Sequence, residues 1–194
     1  MLNAKVYLPS SLEAELLAKM YPCRDSDEVS GEIRQALSAI PLLTTLVAYY
    51  TVPLELTADS IILNGRSAVL SRYSLPENII SLGYVTVYAA TIEPNSLNQT
   101  KPTGDPFTDF IYGTLNAYIL EDTVNSLQAT LEELSGTKLY RVSPGYDNFT
   151  LETQKDIIRL LEKKGLPVSL DSEHCNLKPL YSTTGVIGPL DKAY

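Results

Sequence analysis

The chain has 194 residues, enough for one compact unit with a sizeable core, and its 44% apolar and 20% charged residues are those of an ordinary globular protein. The net charge of −8 argues against nucleic acid, whose phosphates require a concentrated Lys/Arg surface, and gives no support to a polybasic membrane contact. The two cysteines, Cys23 and Cys175, lie far apart in no metal-ligand spacing, which favours two reduced thiols.

No apolar run near Met1–Lys5 is long enough for a signal peptide, and a cytoplasmic location is expected. The longest apolar stretches, near Leu42–Tyr50 and Tyr84–Ile92, are of strand length and too short to span a bilayer. One unit over residues 1–194 is expected, with an N-terminal helical segment at about 10–40. Its first helix is predicted from Ser10, with Glu13 completing a capping box and Leu12, Leu16 and Met20 on one face. A second begins near Asp25-Ser26-Asp27, carries Val29, Ile33, Leu37 and Ile40 at helical spacing, and stops at Pro41.

From Leu43 to Ile92 the pattern changes to strands. Leu46–Val52 is rich in β-branched and aromatic residues. Ser60–Leu63 and Ala68–Leu70 flank Asn64-Gly65, the strongest hairpin signal in the chain. Pro76–Leu82 has the makings of a short helix, and Tyr84–Ala90 reads as a central strand. After a polar loop over Asn95–Asp105, a long helix is predicted from about Pro106 to Leu134. Its apolar stripe is Phe107, Ile111, Leu115, Tyr118, Ile119, Val124, Leu127, Leu131 and Leu134, and Gly136 ends it. Leu139–Val142 is a predicted strand. Thr150 is expected to cap an amphipathic helix with Leu151, Ile157, Ile158 and Leu161 on its apolar face, closed by Gly165. Helices and strands mix without regular βαβ alternation, so the expected class is α+β.

Two segments carry chemistry. In Arg141-Val142-Ser143-Pro144-Gly145-Tyr146, Pro144 fixes one backbone angle and Gly145 permits close backbone approach. Tyr146 adds a flat face, and Arg141 offers a forked donor suited to a carboxylate. Such a segment suits a small zwitterionic or nucleoside-like ligand. Spacing alone favours the plainer reading, a Pro-Gly turn beside an arginine on a sheet edge. The second segment is Glu173-His174-Cys175-Asn176-Leu177-Lys178-Pro179, followed by Tyr181-Ser182-Thr183-Thr184-Gly185. A His174–Cys175 dyad is disfavoured because adjacent side chains on a strand face opposite ways, and one histidine with one thiol leaves a metal short of ligands.

Ser143-Pro144-Gly145-Tyr146 followed by Leu151-Glu152-Thr153-Gln154-Lys155 resembles the Ser-Pro-Gly-Tyr and Leu-x-x-Gln-Lys pattern of small bacterial relatives of the cobalamin-dependent methionine synthase activation domain. The run from Ser172-Glu173 through Pro179 to Ser182–Gly188 resembles that family's second block. The resemblance is clearest over Leu139–Gly188. The chain departs from the pattern at Tyr181, at Glu93 and over Asp147–Thr150.

The resemblance implies a twisted antiparallel sheet flanked by helices, and S-adenosylmethionine as ligand. Arg141 is expected at the ligand carboxylate, with Pro144, Gly145 and Tyr146 lining the pocket. We further expect Glu173 at the α-ammonium or the sulfonium, and Ser182 among the ligand-binding residues. The function implied is that of an accessory module for reductive re-methylation of a corrinoid. Cobalamin would arrive only on a partner, a corrinoid-binding protein or domain, and the electron would come from a flavodoxin-like or iron–sulfur reductant. His174 lacks the Asp-x-His-x-x-Gly setting of a cobalamin ligand and no zinc-binding cysteine set is present, so a complete methionine synthase is not expected. The alternative is a non-catalytic interaction protein that kept the fold and lost the ligand. An independent methyltransferase is a weaker third, since no general base or nucleophile stands out.

Overall fold

The computed structural model describes residues 2–4, 26–39, 43–65, 67–75, 77–80, 83–97, 104–146, 148–171 and 175–189. The helix expected from Ser10 lies outside them. In chain order the elements are β1 (Leu2–Ala4), α1 (Ser26–Ala39), β2 (Thr45–Leu56), β3 (Ser60–Leu63), β4 (Ala68–Ser71), α2 (Glu77–Ile80) and β5 (Tyr84–Ile92). Then follow α3 (Pro106–Ser135), β6 (Leu139–Val142), α4 (Gln154–Leu161), β7 (Ser169–Leu170), β8 (Leu177–Lys178) and β9 (Ser182–Pro189). The class is α+β: an antiparallel sheet in the order β4-β3-β2-β5-β9-β6, with β1 also paired to β2 and helices on both faces.

Strand alternation sorts the core into two layers. On one face Val47, Tyr88, Ala90 and Ile187 pack under Leu120, Val124 and Leu127 of α3. On the other, Val52, Val87, Ala89, Val142 and Val186 pack under Ile157 and Leu161 of α4, with Phe149 and Ile79. Strand β5 is buried on both faces from Val85 to Ile92, which is why its sequence reads as a continuous apolar run. A third cluster joins Ile33 and Ala36 of α1 to Ile92 and to Ile111, Leu115 and Ile119 of α3.

Helix α3 is built as its residues predict. Asp105 accepts a hydrogen bond from the Thr108 amide (2.8 Å), Pro106 stands at the first turn, and Gly136 closes the end at φ 65°. The expected stripe overruns by one residue, since Leu134 is exposed. Strand β2 continues to Leu56 rather than stopping at Val52, because Pro53 sits where pairing passes from β5 to β3. Asn64 and Gly65 take left-handed angles (φ 49° and 60°) in the β3–β4 turn.

The helix after Thr150 differs from expectation in two ways. Thr150 makes no side-chain capping bond, and a 3₁₀ turn over Leu151–Thr153 precedes the α-helix. That turn swings Leu151 off the apolar face, leaving it 47% exposed. Among the described residues no helix is long and apolar enough to cross a membrane.

Candidate functional site

Strand β6 forms one edge of the sheet, and the end of α3 sets its start. The Leu139 amide donates to Glu132 Oε1 (3.0 Å), Gln128 Nε2 donates to the Leu139 carbonyl (3.0 Å), and Lys138 Nζ meets Glu132 Oε2 at 3.0 Å. The Leu139 amide, then Lys138, hold the Glu132 carboxyl below its ordinary range. With Leu139 anchored, alternation sends Arg141 to the α3 face, where it ion-pairs with Glu121 through Nη2. Its other terminal nitrogen, Nη1, is buried and has no hydrogen-bond partner. Glu121 remains about half exposed, with 55% of its side chain open to solvent.

Next to this pair lies Tyr88. Its ring crosses the sheet over Gly185, where a β-carbon would come within 2.5 Å of the hydroxyl, and its hydroxyl lies 3.3 Å from Ser143 Oγ. Burial pushes the Tyr88 hydroxyl up from its ordinary pKa, against the opposing effects of the Ser143 bond and the Arg141 charge. Ser143 opens the Ser-Pro-Gly-Tyr turn, so Tyr88 ties that turn to the sheet.

The turn itself is short and well bonded. Gly145 adopts φ 99°, and its amide donates to the Phe149 carbonyl (2.6 Å) while the Phe149 amide donates back to Tyr146 (3.0 Å). Phe149 is buried and pins the loop to the core. Pro144 is half-buried, Gly145 is exposed, and Tyr146 presents its ring to solvent at 68% exposure. Leu151 lies against Gly145, 3.2 Å from where a β-carbon would stand.

Ser182 lies elsewhere. Arg141 pairs with Ile187, five residues along β9 from Ser182, a separation of roughly 17 Å at strand spacing. Alternation also places the two on opposite faces. The Ser182 hydroxyl donates to the Pro179 carbonyl (2.7 Å) and lies 2.8 Å from the Thr91 hydroxyl. Together with Leu151, Gln154, Asp171 and Cys175, it lines a cavity of about 560 Å³ on the α4 side. Glu173 and His174 lie outside the described residues, and Cys175 takes a left-handed angle (φ 54°). The expected set therefore divides. Arg141, Pro144, Gly145 and Tyr146 follow one another along β6 and its turn, and Ser182 belongs to the α4 side. No group of three metal-ligating side chains converges among the described residues.

Sequence reasoning misses Glu121, and it quotes Gln154 only as a letter of the Leu-x-x-Gln-Lys pattern, without a role. Glu121 is one acid among many on a long helix, and only tertiary contact brings it to Arg141. Gln154, in the Leu-x-x-Gln-Lys start, is buried. It donates to the Cys175 carbonyl (2.9 Å) and accepts from Thr184 (3.3 Å), tying α4 to β9 and to the second block.

No protein-family model matches the chain, and no curated protein matches it by sequence. Among solved structures it is similar to the crystal structure of the MetH reactivation domain bound to AdoHcy. The TM-score is 0.66 at 13% sequence identity, over 87% of this chain and 67% of that one. At that identity the likeness is one of fold. It agrees with the α+β class and the helix-flanked antiparallel sheet described above.

Proposed function

We propose that this chain is an accessory module that binds S-adenosylmethionine and supports reductive re-methylation of a corrinoid held by a partner protein. The observation that carries the reading is the Arg141–Tyr146 segment. Arg141 holds a buried nitrogen with no acceptor, and an exposed Gly145-Tyr146 turn follows it. A ligand carboxylate meets that nitrogen with a charge-assisted hydrogen bond, and the Tyr146 ring and Gly145 backbone offer a surface to the rest of the molecule. The fold it shares with a domain that binds AdoHcy supports the same ligand class.

When present, the corrinoid supplies the cobalt to which the sulfonium methyl is transferred after a one-electron reduction, leaving a thioether. The chain contributes binding, orientation and electrostatics. Its partners in this reading are a corrinoid-binding protein or domain and a flavodoxin-like or iron–sulfur reductant.

Calorimetric titration with S-adenosylmethionine tests the reading directly. Binding by the wild-type chain and its loss in Arg141→Ala are expected. No heat at millimolar ligand, or equal binding by the variant, overturns it.

The Arg141–Glu121 ion pair favours a second reading, in which the arginine is structural and the chain is an interaction protein without ligand. Capture of a corrinoid protein by a chain that binds no S-adenosylmethionine would select that reading.

A further inference from the structure

The chain carries a net charge of −8, yet four of its 15 Lys/Arg residues crowd into one short stretch: Lys155, Arg159, Lys163 and Lys164. Arg159 ends α4, and the two lysines stand in a 3₁₀ turn over Glu162–Lys164 that follows it. Carbonyls at a helix end favour cations. Here three of those cations, Arg159, Lys163 and Lys164, line one cavity of about 730 Å³, with Tyr50 of β2, Ser67 of the β3–β4 turn and one acid, Glu162.

The fold sets the cations in place. Arg159 donates through Nη2 to the Ser67 carbonyl and to Asp156 (2.7 Å), which ties α4 to the β3–β4 turn. Tyr50 shares the α4 face of β2 with Val52, and Lys164 Nζ stands 5.4 Å from the centroid of its ring. Arg159 Nη1 and Nε and the Lys163 ammonium have no acceptor among the described residues.

We infer that this cavity binds a compact, multiply charged phosphate, a diphosphate group either free or esterified. The remaining fork of Arg159 suits one phosphoryl group, and Lys163 and Lys164 supply point charges to the next. Three cations against one acid give the lining an excess of two positive charges in an acidic chain. An extended polyanion would run beyond this patch onto the surface of a chain that repels it, so the charge pattern selects a small anion. The site is separate from the one proposed above: Arg141 lies on the α3 face of the sheet, and this cavity lies on the α4 face.

The test is calorimetric titration of the full chain at low ionic strength with inorganic pyrophosphate and, separately, with UDP. One-to-one binding is expected. Replacing both lysines (Lys163→Gln with Lys164→Gln) should weaken it by about tenfold or more, the effect of losing hydrogen bonds between charged groups. Both side chains are exposed, so the ligand-free thermal midpoint of that variant should match the wild type. Lys178→Gln removes the same charge elsewhere and should change affinity by less than about twofold. Tighter binding of UDP would assign the site to an ester, and equal binding to the diphosphate group alone. No heat at millimolar pyrophosphate, or equal weakening by Lys178→Gln, overturns the inference. So does tighter, Lys163- and Lys164-dependent binding of a glutamate-rich peptide, which would assign the patch to an acidic protein.

Discussion

Tyr88 shows how a single side chain can link the sheet to the turn it presents. Its ring occupies the space that Gly185 leaves by having no side chain, and its hydroxyl meets Ser143. A buried neutral phenol favours the folded state while the proton stays on. Because folding raises its pKa, the stability it contributes is fully present below about pH 10 and is lost as pH rises through the folded value. Urea midpoints measured across the alkaline range should therefore fall for the wild type and fall less steeply for Tyr88→Phe. At neutral pH that variant should lose about 1 kcal/mol with the Ser143 bond. Parallel alkaline slopes would show that another group titrates. At this scale the sequence was partly legible. Ser-Pro-Gly-Tyr is recognisable as a motif, but nothing near Tyr88 or Gly185 announces that the two meet across strands.

At the scale of elements, local signals served where local chemistry decides. Helix α3 follows from its cap, its period and its terminal glycine, and β6 from four residues between two turns. Expectation failed where neighbours decide: the passage of β2 through Pro53 depends on a change of partner strand, and the 3₁₀ start before α4 goes with a Thr150 that makes no side-chain capping bond. The junction of α3 and β6 yields a test. Glu132 has a depressed pKa, first through the Leu139 amide and then through Lys138, so it contributes stability above its unfolded value near 4.5 and loses it as pH falls through the folded value. Glu132→Gln should be less stable than the wild type at pH 7, with the gap narrowing on acidification. A gap that stays constant with pH would show that the carboxylate charge plays no part.

Across the whole molecule, one sheet divides two apolar layers, and β9 belongs to both. Val186 faces α4 and Ile187 faces α3, adjacent in sequence and buried to 0% and 1% exposure. Since the backbone they share runs through the centre of the sheet, loss of either layer should bring down the other. Val186→Ala and Ile187→Ala are each expected to cost ~1–4 kcal/mol and to leave a single transition, with coincident midpoints by circular dichroism and tyrosine fluorescence. Two separated transitions would show that the layers unfold independently. The class was legible because helical and strand periods alternate irregularly along the chain. The order β4-β3-β2-β5-β9-β6 was not, since β5 and β9 pair across more than ninety residues and no local pattern encodes that choice.

The chain contains thirteen tyrosines, three phenylalanines and no tryptophan, so phenol rings dominate its ultraviolet emission. One of those rings, Tyr88, sits sealed beside the Arg141–Glu121 charges, and its hydroxyl feels both of them. The protein therefore carries an optical probe inside its own candidate site, placed there by a glycine on the neighbouring strand.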